Sequence, residues 1–351
     1  MMPVEWPIAA EAADHRVEPA RAAGSDRLPI VRQDLFLDDR ARLTEQERAL
    51  MSAMLVGMIE QLADELRIGL PPDVLARTEQ DRDHIVARLW KSGALDQSLL
   101  IQLLLRHADE QLIAAACRTS RGPGEGGSVE RLVGDSDGAI ASAAMALAVA
   151  RGRRRDRFGR LGLEYDDIPR REARRLVHFV AAALRHGISG GPVAIDEALA
   201  EAAARLIDRH DESRRIELRA MSLAAALVEA RGADDELVAG LAAEGDAALL
   251  TALCAVRAGV SPVTAWMLLV NDGARHAMLL ARIAGIGRPA AAAMVAALTE
   301  PLLWGEPDSA IACFDRLADS EVDAARRWWR LPAAYRDGVG QLGGGDGQPI
   351  D

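Results

Sequence analysis

The sequence predicts an all-α protein built as a helical-repeat stack, and three observations point there. Glycines fall at 232, 245, 259, 273 and 285, steps of 12 to 14 residues, each closing a short Ala/Leu/Val-rich stretch. Glycine takes the left-handed conformation just past a helix end without a Cβ penalty, so a regular glycine beat reads as helices laid down one after another. Roughly a fifth of the 351 residues are alanine, which loses least on entering a helix. No stretch alternates β-branched with polar residues and no Asn-Gly turn occurs, so strands leave no signal.

Each element has its own local reason. Residues 1–33 mix Ala, Arg, Glu and Pro without a helical period and are expected to be disordered. Thr44 and Glu47 have the spacing of a capping box, which opens a helix over 44–67. Its apolar stripe runs through Leu50, Met51, Met54, Leu55, Met58, Ile59, Leu62 and Leu66, and Pro71-Pro72 ends it. Helices over 73–90 and 96–118 complete an N-terminal helical unit, 34–120. The Gly-rich stretch 119–127 breaks the pattern and reads as a linker: it lacks the lysine and the preceding strand of a phosphate cradle.

Short helices over 128–133 and 137–150 come next. After an Arg-rich loop, Pro169 stands at the start of a helix reaching 186, where its missing N–H does no harm. Further helices are expected over 193–210, 213–230, 234–243, 246–257, 261–271, 274–284 and 289–298. Ser261-Pro262, a cap followed by proline in the first turn, marks one of these starts. Helices over 307–318 and 321–335, the latter carrying Trp328 and Trp329, close a helical-repeat stack spanning 121–337. A flexible Gly-rich tail, 338–351, ends the chain.

Acidic residues outnumber basic ones 53 to 42, a formal charge of −11, which opposes general binding to nucleic acid or anionic membranes. Lys91 is the single lysine among arginines, the usage of a GC-rich genome, so arginine abundance alone carries no functional meaning. Cys117, Cys254 and Cys313 lie in apolar helical stretches without metal-ligand spacing and read as buried thiols of a reducing compartment. The N-terminus has no basic stretch followed by an apolar core, and no run reaches the 18 or so apolar residues of a span. A soluble, cytoplasmic protein is expected.

Three groups of segments carry a family resemblance. The first is Asp34-Leu-Phe-Leu-Asp38 leading into Leu43-Thr-Glu-Gln-Glu-Arg-Ala-Leu-Met51. The second joins Asp156-Arg-Phe-Gly159, Asp166-Asp-Ile-Pro169 and Val180-Ala-Ala-Ala-Leu-Arg185. The third runs from Leu249 through Ala258-Gly259 and Asn271-Asp-Gly273 to Ile283-Ala-Gly-Ile-Gly287. Over most of 34–300 the chain resembles an uncharacterised bacterial family of HEAT-like all-helical proteins, a domain of unknown function. The resemblance implies a HEAT-like fold and no catalytic residues.

Residues 151–175 hold ten arginines (151, 153, 154, 155, 157, 160, 170, 171, 174 and 175) against five acidic residues. Guanidinium forks bind carboxylate or phosphate in a bidentate way, and the cluster flanks a helix start whose dipole also favours anions. Within it Arg153, Arg154, Arg155 and Arg157 are the expected partner-contact residues; the plainer reading is a solvated loop paired with acidic neighbours. His210-Asp211 resembles the pair of the metal-dependent His-Asp phosphohydrolases, but a further His and Asp would have to converge on the metal. His107 with Glu110, and Asp272 with His276, share a helix face at spacings more typical of surface pairs. The methionines at 51, 54 and 58 read as core, with an adaptable binding groove as the alternative. No HExxH, CxxC or Walker loop occurs.

The expectation is therefore a non-enzymatic helical-repeat scaffold or adaptor for an acidic protein partner, without cofactor, metal, nucleic acid or membrane. The alternatives are a His-Asp phosphohydrolase at His210 and Asp211, and a small-anion or nucleotide sensor using 151–175.

Overall fold

The computed structural model describes residues 43–78, 84–119, 127–154, 162–186, 193–232, 234–271 and 273–342, and among them every regular element is a helix. In chain order these are α1 (Glu45–Ile68), α2 (Pro72–Thr78), α3 (Ile85–Lys91), α4 (Ser98–Thr119), α5 (Ser128–Val133) and α6 (Gly138–Arg153). A 3-10 turn (Tyr165–Asp167) precedes α7 (Arg170–His186) and α8 (Val193–Asp208), and a second (Glu212–Arg214) leads into α9 (Ile216–Arg231). Then come α10 (Asp235–Glu244), α11 (Ala247–Ala258), α12 (Pro262–Trp266), α13 (Ala274–Ile283), α14 (Arg288–Leu298), α15 (Pro307–Arg316), α16 (Asp319–Trp329) and α17 (Ala333–Leu342).

Local chemistry explains the boundaries. Asp137, Asp234, Asp246 and Ser261 each cap a helix by accepting from backbone N–H groups of its first turn, at 2.8 to 3.1 Å for the shortest contact. The five glycines of the beat all have positive φ, between 65 and 80°. At Gly245 the conformation is combined with close packing: a Cβ there would stand 2.9 Å from atoms of Ile113, Ala114 and Cys117, so α4 lies directly on this turn.

The structure departs from the expected elements in four places, one being the helix expected over 321–335, which is two helices, α16 ending at Trp329 and α17 starting at Ala333. The helix expected over 73–90 is two helices, α2 and α3, with 79–83 outside the described residues. The helix expected over 261–271 changes after Trp266 into a π-helical turn, Met267–Asn271. Helix α17 continues to Leu342, beyond the position where a flexible tail was expected; 343–351 and 1–42 are outside the described residues.

Two apolar cores form. One gathers Met54, Met58, Ile59 and Leu62 of α1 with Leu89 of α3, Val177 and Leu184 of α7, and Leu199 of α8, so the methionine stripe is core, with Met51 packed at its edge. The other gathers Ile140 and Leu147 of α6, Leu223 of α9, Leu241 of α10, Leu250 and Leu253 of α11, Met278 of α13 and Met294 of α14. Helix α4 serves both: Leu100, Leu103, Leu104 and Ala108 enter the first, Ile113 and Cys117 the second. Fully burying such a side chain contributes about 1.5–3 kcal/mol, so α4 is the element through which the two cores are joined. From Gln46 onward the chain forms one compact unit.

Among the described residues no single helix is long and apolar enough to cross a membrane. The one pair that would suffice together, Ala247–Ala258 with Pro262–Val270, is bent by 118°.

Candidate functional site

Where α4 passes from one core to the other, its sequence turns polar. Arg106, His107 and Glu110 lie on its inner side and meet Arg154 (the residue after α6), Asp167 of the 3-10 turn, and Arg215 and Glu217 at the head of α9. Three guanidiniums thus face three carboxylates. His107, Arg154 and Asp167 are 1, 5 and 3% exposed.

The geometry is specific. Arg154 Nε donates to Asp167 Oδ2 at 2.9 Å, and the other oxygen of Asp167 accepts from the Ile216 N–H at 3.3 Å. One buried carboxylate therefore ties the end of α6 to the start of α9. His107 Nδ1 is approached by Glu110 Oε2 at 3.2 Å and by Arg154 Nη1 at 3.1 Å. A guanidinium only donates and an ionised carboxylate only accepts, so this one ring nitrogen serves one neighbour or the other according to its proton. On the far side of the ring Nε2 faces Glu217 Oε1 at 3.8 Å. Arg106 lies over the Trp266 ring, 4.7 Å from its centroid.

Burial pushes the Glu110 carboxyl up, but the hydrogen bond and charge of His107, with Arg106 and Arg154 beside it, outweigh burial and hold it at about 2. For Arg154, burial disfavours the charge, yet the Asp167 carboxylate, with Glu217 and Glu110 behind it, raises its pKa above the ordinary arginine value. The cluster is a set of mutually compensating charges inside the protein whose hydrogen bonding is incomplete: His107 Nε2, Arg154 Nη2, Arg215 Nε and both carboxylate oxygens of Glu217 are buried without a hydrogen-bond partner.

The expected contact residues fall in different places. Arg153 is exposed at the end of α6. Arg154 is turned inward, because α6 ends with this side chain facing Asp167, and it takes no part in a surface. Arg155 and Arg157 lie outside the described residues. Arg151 reaches Asp246 Oδ1 and Oδ2 at 2.6 and 2.8 Å, adding to the cap of α11.

The rest of the arginine-rich stretch forms a surface. Arg171, Arg174, Arg175 and His178 have the i, i+3, i+4, i+7 rhythm of one helix face, and all four, with Arg170, are exposed along the first half of α7. Among the described residues none of these four arginines makes an ion pair, whereas Arg185 at the end of the same helix is paired with Asp196 at 2.5 Å. Arg175 lies 5.3 Å from the centroid of Phe179. Cations in the first turns of a helix sit at the positive end of its dipole. This face therefore concentrates positive charge that the fold does not neutralise. Its spacing was readable in the sequence; its freedom from carboxylates was not.

The remaining pairs are accounted for locally. His210 is buried, its Nε2 at 3.0 Å from the Ile168 carbonyl and its ring edge-on to Tyr165 with centroids 4.8 Å apart. Asp211 accepts from the Ser213 N–H at 3.0 Å and starts the second 3-10 turn. Among the described residues no three His, Cys, Asp or Glu side chains are grouped so as to hold a metal. Asp272 lies outside the described residues. Trp328 and Trp329 are half-buried, the latter against the second core with the Arg336 guanidinium 4.7 Å from its ring.

No curated protein and no solved structure matches the chain. One family profile, described as an uncharacterised protein conserved in bacteria (DUF2336), matches residues 121–327, from before α5 to within α16, and so covers more than half of the sequence. The chain accordingly belongs to the DUF2336 family of bacterial proteins.

Proposed function

We propose that this protein is a non-enzymatic binding scaffold that engages an acidic segment of a protein partner through the arginine face of α7. The observation that carries this reading is the row Arg170, Arg171, Arg174 and Arg175, exposed and without ion pairs among the described residues, in a chain of net charge −11. Arginine forks matched to carboxylates give charge-assisted, bidentate hydrogen bonds roughly twice as strong as neutral ones. The net negative charge disfavours a duplex nucleic acid and favours a partner whose acidic residues are confined to one short segment. Repeated short helices ended by glycine accord with a HEAT-like stack, an architecture that offers extended surfaces for such contacts. The buried ion cluster then serves as the joint that keeps the scaffold rigid.

The test is affinity capture from cell lysate at low and moderate salt, comparing wild type with Arg171→Glu/Arg174→Glu/Arg175→Glu. A protein held by wild type, released by salt and absent from the variant supports the reading. Equal capture by both chains overturns the assignment to α7. If inorganic phosphate or a nucleotide raises the melting temperature of wild type but not of the variant, the same face is a small-anion site instead.

A further inference from the structure

Helix α6 has no charged side chain from Gly138 to Ala150, and Ser142 is the one polar side chain in that stretch, yet the helix lies at the surface. Ile140, Ala144 and Leu147 face the core. Ser142, Met145 and Val149 form the opposite stripe, with Met145 49% and Val149 47% exposed. A helix this apolar on both faces is ordinarily covered on every side; the outer faces of soluble helices carry charge, as α7 does. Helix α9 packs alongside. Its direction is antiparallel, because Arg231 at its end pairs with Asp135 just before α6, while Asp167 holds both Arg154 after α6 and Ile216 at the start of α9. Exposed Leu218, Ser222 and Ala225 of α9 are likewise uncharged. Charge borders the face, with the partly exposed Arg219 between Leu218 and Ser222, Glu229 and Arg231 near the end of α9, and the exposed Arg153 at the end of α6.

We infer that the outer face of the α6–α9 pair docks a single amphipathic helix of a partner protein, its apolar side chains on Met145 and Val149 beside the small Ser142, and an acidic residue over Arg153. Size selects this occupant. From Ser142 to Arg153 the stripe is about 17 Å long at 1.5 Å per residue. Two helices side by side are about 20 Å wide, giving on the order of 340 Å², well short of the roughly 800 Å² per partner of a stable dimer. A second copy would also bring another −11 charges. One helix of about three turns matches the length and needs only a few anchors at helical spacing. Met145 suits the centre because its flexible thioether adapts to the partner's side chains. This surface is independent of the arginine face on α7.

The test is selection of a displayed library of amphipathic helices, with Leu fixed at the anchor positions and all other positions randomised, against the full chain. Selected peptides are then measured by fluorescence anisotropy on wild type, Met145→Glu, Val149→Glu and Arg171→Glu. The expected result is peptides enriched in Asp or Glu near one end. They bind wild type and Arg171→Glu equally and bind the two α6 variants at least tenfold more weakly, while α6 and α9 gain hydrogen-exchange protection in the complex. Both α6 variants change exposed positions and should melt with wild type, so a loss of binding is read as a loss of the surface. Failure to enrich any helix, or enriched helices that bind the α6 variants as well as wild type, overturns the inference. So does a wild-type dimer in sedimentation that Met145→Glu dissociates, since the second copy would then be the occupant.

Discussion

Arg154 and Asp167 form an ion pair, 2.9 Å from Nε to Oδ2, that is buried on both sides and lies at the meeting point of α6, the 3-10 turn and α9. It decides how the arginine-rich stretch is divided. Arg151 and Arg153 belong to α6, Arg170 to Arg175 belong to the surface of α7, and Arg154 between them is enclosed.

Breaking this pair should be among the most destabilising single changes in the chain. Arg154→Met leaves the Asp167 carboxylate buried without its counter-charge, a loss of about 3–5 kcal/mol. Arg154→Lys should recover only part of it, because a flexible ammonium replaces the planar guanidinium whose Nε donates to Asp167. The double variant Arg154→Met/Asp167→Leu should lose less than the sum of its parts. Urea unfolding midpoints of the variants against wild type check this.

At Gly245, alanine meets both a φ of +67° and three α4 atoms at 2.9 Å. Gly232 has φ +65° but nothing within 4 Å of its Cβ position. Gly245→Ala should therefore cost well over about 1 kcal/mol and more than Gly232→Ala, whose loss is limited to backbone strain. Parallel thermal melts measure the difference.

Stability should respond to pH in two opposite windows. Burial, then the charges of Glu47 and Glu110, raises the Asp109 carboxyl from 3.8 to about 7. Between these values the folded chain holds a proton that the unfolded chain has released, so stability falls as pH rises through that range. Asp109→Asn should flatten this slope. Glu110 is held at about 2, below its ordinary 4.5, so its contribution is complete above 4.5 and is lost as pH drops toward 2. Glu110→Gln should remove that acid-side loss. Denaturation midpoints at half-unit pH steps resolve both.

Reversing Arg171 and Arg174 to Glu should leave the melting temperature unchanged or slightly raised, since acidic residues suit the first turns of a helix. Partner capture should be lost in the same variant. A drop in melting temperature together with capture would show these arginines to be structural.

His210→Ala should destabilise by about 1–3 kcal/mol through the hydrogen bond lost to the Ile168 carbonyl. Metal content, read by elemental mass spectrometry, should be the same in both chains. Stoichiometric divalent metal in wild type that vanishes in the variant would restore the His-Asp phosphohydrolase reading.

The helical class, most helix boundaries and the turns were legible in the order of residues, because those features rest on local physics. Aspartates at 137, 234 and 246 cap the helices they precede, glycines stand where φ must be positive, and apolar spacing such as Met54–Met58–Leu62 admits one buried face. The i, i+3, i+4, i+7 spacing of Arg171, Arg174, Arg175 and His178 is present in the order of residues, but the contact was expected at Arg153, Arg154, Arg155 and Arg157 instead. Which arginines are enclosed and which are free was not legible, because ion pairs such as Arg154–Asp167 and Arg151–Asp246 join residues that local spacing does not relate. Nor did the residues of α6 reveal that a helix without charge from Gly138 to Ala150 stands at the surface. The pattern of a helix says how many of its faces are apolar; whether a neighbour covers each of them is settled by packing.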